Sequence, residues 1–171
     1  MKNAVQNFGI MFPLLLIAQV LISNYFNFSP YAMLSILPAM ILCLPVSMNT
    51  IWVMAIAFAS GLAVDFLAEG LLGLNTLALV PVALSQKTVI RVIMGEDLLT
   101  RQENFSFKKN GAAKISYALV IVQAIFFMIY IFADGAGVRP MWFNMARFAG
   151  AMACTFPLSL VTVNILSSSN N

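Results

Sequence analysis

Long apolar runs dominate the chain, interrupted at intervals by short polar or turn-forming clusters. A membrane-crossing helix needs roughly 20 mostly apolar residues, within a range of about 17–25. By that measure the 171 residues divide into six candidate spans, at about 8–25, 31–48, 51–67, 71–90, 114–133 and 142–166. The breaks carry turn chemistry: Asn27-Phe28-Ser29-Pro30, Ser47-Met48-Asn49, Glu69-Gly70 and Asp134-Gly135-Ala136-Gly137. Prolines at 13, 38, 45, 81 and 157 fall inside or near the ends of spans. Neighbouring helices can satisfy the backbone groups that prolines free, so these predict kinks rather than breaks. The second span is the weakest, because Pro38 and Pro45 would make it short or re-entrant. The first has the apolar core of a signal peptide behind Lys2, but Ser23-Asn24-Tyr25 offers no small-residue cleavage site, which predicts an uncleaved helix.

Composition agrees with the pattern. The chain is 61% hydrophobic and 9% charged, where an ordinary soluble domain is about 25% charged. A six-helix bundle would consume nearly all of it, giving one polytopic membrane domain over residues 1–171 with no separate catalytic module. The net charge of +3 is modest and concentrated. Lys87, Arg91, Arg101, Lys108, Lys109 and Lys114 lie in or beside the stretch at about 91–113, between spans four and five. Cytoplasmic loops collect Lys and Arg, so this stretch and both termini are predicted to be cytoplasmic, and nucleic acid is not an expected partner. Lys87 and Arg91 share a helical face and can snorkel to headgroups.

Several chemistries are disfavoured. There is no histidine, and Cys43 and Cys154 sit apart in apolar stretches, so no metal, cofactor or His-based relay is expected, nor a disulfide. No phosphate-binding glycine loop and no Gly-x-Ser-x-Gly elbow occurs. No catalytic residue is expected. Trp52 and Trp142 each start a span, where they would anchor at the interface.

The stretch "GLAVDFLAEGLLGLNTLALVPVAL", residues 61–84, stands out. Glu69 is expected to open the fourth span, where the helix dipole favours negative charge. Asp65 ends the third, where the same dipole disfavours it, so Asp65 needs a cation, a donor or water. Arg147 on the last span, or Asn75 or Asn144, would supply one. The alternative is that Asp65 belongs to a site open to the outer face or to a partner. Gly61, Gly70 and Gly73 are expected to let helices approach closely. Gly61, Asp65, Gly70, Gly73, Asn75 and Arg147 are therefore the candidate structural or partner-binding residues.

This stretch resembles the rod shape-determining protein MreD family, whose pattern is a helix ending Gly-apolar-apolar-apolar-Asp-apolar, then a short loop and Gly-Leu-small/polar opening the next helix. Gly61, Asp65, Gly73 and Leu74 occupy those positions, followed by Asn75. The detailed match covers about 24 residues; length, span count and the basic loop also fit. One departure is Gln86-Lys87, then Arg91, where the family often has Arg-Pro. The resemblance implies a non-enzymatic scaffold of the bacterial inner membrane. It would act in lateral peptidoglycan synthesis with an MreC-like protein, the MreB filament and other wall-elongation proteins. A second resemblance is to substrate-binding subunits of energy-coupling-factor vitamin transporters, also small six-helix proteins with both ends inside. The first helix here lacks the small residues spaced four apart through which those subunits couple, although Ala55 and Ala59 form such a pair in the third. That reading needs Asp65, Asn75, Asn144, Arg147 and Trp142 to converge in an outer pocket.

Overall fold

The computed structural model describes residues 2–25, 33–70, 72–95, 111–135 and 139–168, without the side chains of residues 2–9, 69, 112, 167 and 168. Among the described residues six α-helices follow in order: α1 (Lys2–Tyr25), α2 (Leu37–Leu42), α3 (Thr50–Val64), α4 (Leu74–Met94), α5 (Ala112–Gly135) and α6 (Met141–Ser168). Among the described residues there is no strand. Four helical stretches among them are long and apolar enough to cross a membrane, at Thr50–Ala68, Leu74–Met94, Ala113–Gly135 and Met141–Leu166. Ile10–Tyr25 is apolar but shorter. The chain is a multi-pass membrane protein with an all-helical bundle.

The proline expectations divide by position. Pro13, Pro81 and Pro157 lie inside continuous helices, whereas Pro38 sits in the first turn of α2, where its missing N–H removes no helical bond. The predicted span at 31–48 is corrected. Its helix is six residues long, flanked by non-helical chain at 33–36 and by turns from residue 43. All six residues of α2 are buried, and the segment touches each of the other helices. Non-helical backbone at membrane depth is tolerated only where protein surrounds it, and here the broken span forms the centre of the bundle.

α3 does not stop at Val64. It continues as a π-helical turn (Asp65–Glu69), closed by the Gly70 N–H donating to the Asp65 carbonyl at 2.9 Å. Gly70 is left-handed at φ 67°. α4 then begins at Leu74 behind Gly73 at φ 105°. Glu69 therefore ends the third span rather than opening the fourth, contrary to the sequence expectation. At the other end α4 extends to Met94, which makes Arg91 part of its last turn. Residues 96–110, most of the predicted basic loop, and the Asn27–Pro30 break lie outside the described residues. Trp52 and Trp142 are 66% and 82% exposed near the starts of α3 and α6, suited to anchoring at an interface.

Candidate functional site

Asp65 is completely buried. Its carboxylate leaves the end of α3 and crosses to the first turn of α4, where five donors converge on it. Oδ1 accepts from the Asn75 backbone N–H at 2.9 Å and from Asn75 Nδ2 at 3.0 Å. Oδ2 accepts from the Gly73 N–H at 3.0 Å, the Thr76 N–H at 3.2 Å and the Thr76 hydroxyl at 2.9 Å. The first N–H groups of a helix have no partner within it, and the dipole there favours an anion. A carboxylate has about four lone-pair sites, so five donors saturate it.

The glycines around it have separate causes. A Cβ on Gly61 would lie 2.7 Å from Thr76 Cα and 2.8 Å from its backbone nitrogen. Gly61 therefore lets the start of α4 close onto α3, as expected, and brings Asp65 within reach. The same expectation for Gly70 and Gly73 is corrected, because a Cβ at either would meet nothing within 4 Å. Their positive φ is what requires glycine.

Arg147 does not pair with Asp65. It forms an ion pair with Asp134, at the end of α5. Arg139 shares the same oxygen of Asp134 at 2.9 Å, and its guanidinium lies 5.7 Å from the centre of the Phe143 ring. Asn144 is also not a partner of Asp65; it packs against Gly135. Of the six candidate residues, Gly61, Asp65, Gly70, Gly73 and Asn75 come together at the α3–α4 junction, and Arg147 belongs to the α5–α6 junction.

A second polar set holds the broken span. Gln19 of α1 accepts from the Ile36 N–H at 2.8 Å and donates to the Leu34 carbonyl at 3.2 Å. Thr155 of α6 donates to the Met33 carbonyl at 3.1 Å and accepts from the Ser35 N–H at 3.5 Å. Gln86 of α4 points its Nε2 at the carbonyls of Ile41, Leu42 and Leu44, at 3.0, 3.2 and 3.1 Å. Three polar side chains, each at most 1% exposed, thus replace the ladder that the non-helical backbone lacks. The sequence marks Gln86 only as a departure from the family's Arg-Pro and does not single out Gln19, Thr155 or Thr76. The available signal was an isolated amide or hydroxyl within an apolar span.

Cys43 is buried, whereas Cys154 is exposed on the bundle surface; both are free thiols. Among the described residues no three His, Cys, Asp or Glu side chains cluster closely enough to hold a metal ion. No protein-family model, curated protein or solved structure matches this chain.

Proposed function

We propose that the chain is a non-enzymatic scaffold of the bacterial inner membrane, of the MreD kind, which holds wall-elongation proteins together during lateral peptidoglycan synthesis. The observation that carries this reading is the saturation of Asp65. The residues through which the stretch at 61–84 resembles that family, Gly61, Asp65, Gly73 and Asn75, converge on one buried latch that fixes the α3–α4 hairpin. A signature spent wholly on rigidity suits a protein that presents surfaces. α3 carries Ile51, Trp52, Phe58 and Leu62 on its exposed face, and Phe66 follows in the π-helical turn. An MreC-like membrane protein is the expected partner.

Depletion in a rod-shaped host should produce rounded cells. Gly61→Val, which forces the latch open, should reduce copurification of the MreC-like partner while leaving the protein in the membrane. Depleted cells that keep their shape but lose uptake of one vitamin would overturn the scaffold in favour of a transporter subunit. That rival needs Asp65, Asn75, Asn144, Arg147 and Trp142 in one pocket. Asp65 and Asn75 are instead bonded to each other, Arg147 to Asp134, and Trp142 faces outward.

A further inference from the structure

At the end of the bundle where α5 and α6 are joined, a groove of about 450 Å³ runs between these two helices. Its walls include Phe127, Ile131, Met145, Phe148 and Ala149. Its outward rim is exposed, with Phe132 at 54%, Met145 at 69% and Met141 at 68%. The groove thus opens sideways onto the membrane-facing surface, where hydrocarbon is the available filler. Its size falls in the roughly 300–1,000 Å³ range of small-molecule sites.

One polar side chain lines it. Asn144 is 8% exposed, and its Oδ1 is buried with no hydrogen-bond partner. One helical turn along α6, Nε of Arg147 is buried and likewise without a partner. The ion cluster beside them is unbalanced, since Arg139 and Arg147 share the single carboxylate of Asp134, leaving one positive charge in excess. Trp142 in the first turn of α6 marks the interfacial level. Arg147, five residues further along, then lies about 8 Å deeper, within snorkelling reach of a headgroup.

We infer that this groove is a phospholipid site, with one acyl chain between α5 and α6 and the headgroup phosphate on Arg139 and Arg147. The guanidinium fork suits a phosphate. Asn144 Oδ1 accepts from a headgroup hydroxyl or ammonium, which accounts for a buried acceptor at the groove's polar end. This assignment is independent of the scaffold reading, and either can fail without the other.

The test is native mass spectrometry of the detergent-purified full chain. It would be titrated with dioleoyl phosphatidylglycerol, dioleoyl phosphatidylethanolamine and the phosphate-free dioleoylglycerol. One phospholipid per chain is expected, with dioleoylglycerol about tenfold weaker for want of the charge-assisted bonds. Ala149→Phe, which fills the groove without touching the ions, should weaken all three. Arg139→Gln, which leaves Asp134 paired with Arg147, should narrow the gap between phospholipid and dioleoylglycerol. Leu84→Phe on the exposed surface of α4 should change nothing. Equal binding of phospholipid and dioleoylglycerol, or no effect of Ala149→Phe, would overturn the assignment. So would chains that form dimers abolished by Ala149→Phe and carry no lipid, because the groove would then seat a second copy.

Discussion

At Asp65 the count of lone pairs decides the role. Five donors on one buried carboxylate make it a connector between helices, and removing it leaves three backbone N–H groups at the start of α4 without an acceptor. Unsatisfied buried donors cost about 1–3 kcal/mol each. Asp65→Ala should therefore destabilise the bundle by roughly 3 kcal/mol or more, since three such donors are left at once. Asp65→Asn should cost less, because its Oδ1 still accepts. Thermal unfolding in detergent would rank them, and equal losses would mean that charge is irrelevant to the latch. Arg147 gives the companion experiment. Asp65 and Arg147 share no partner, so their leucine substitutions should add to within about 0.5 kcal/mol. Asp134→Leu with Arg147→Leu should fall well short of additivity. The site was legible in the sequence where it is local: Gly61 to Asn75 lie within 15 residues, and a carboxylate at a helix C-terminus needs a nearby donor such as Asn75. The partner of Arg147 was not legible, since its choice between Asp65 and Asp134 depends on which helix ends meet. Glu69 does not open α4 as expected, for a related reason. The π-helical turn carries α3 past Asp65, so the carboxylate that serves the α4 dipole comes from the preceding helix.

Among the elements, α2 has the least local justification for its shape. Six residues are too few for a stable isolated helix, and its backbone ends lie in the apolar interior. It persists because Gln19, Gln86 and Thr155 answer those ends from three other helices. Gln86 faces three carbonyls with two hydrogens, and Gln86→Leu would strip the C-terminal end of α2 of those bonds. Side-chain hydrogen bonds within membrane bundles average about 0.6 kcal/mol and reach about 1.7, and a cluster of abandoned carbonyls places the expected loss near the upper figure. Cys43, directly after α2 and 7% exposed, supplies a local reporter. A membrane-permeant maleimide should label Cys43 faster in Gln86→Leu, with the already exposed Cys154 unchanged. Unchanged labelling of Cys43 would show that α2 is held without Gln86. Hydropathy found the four long helices because each satisfies its own backbone. It could only mark this segment as weak, through Pro38 and Pro45, because the groups that stabilise it are tens of residues away in sequence.

At the scale of the whole molecule, the orientation turns on whether the broken segment crosses the membrane. Residues 33–36 and α2 can together reach at most roughly 22 Å, at about 3.3 Å per extended residue and 1.5 Å per helical one. A hydrocarbon core is about 30 Å thick, and the seven residues at 43–49 before α3 can cover the remainder. On that count the chain would make six crossings, and Lys2 would share a side with Lys87, Arg91 and Lys114. Were the segment to turn back, Lys2 would face away from that basic group, against the tendency of Lys and Arg to gather on the cytoplasmic side. Charge at the opposite end is muted, because Arg139 and Arg147 both lie on Asp134. Reporter fusions after residues 69 and 137 should therefore read as external. Fusions after residue 103 and ahead of Lys2 should read as cytoplasmic. An external signal at 103 would invert the molecule and place the Asp65 latch and the lipid groove on the cytoplasmic side. Opposite signals from 103 and the N-terminus would leave five crossings, and would make the segment centred on α2 a true re-entrant loop.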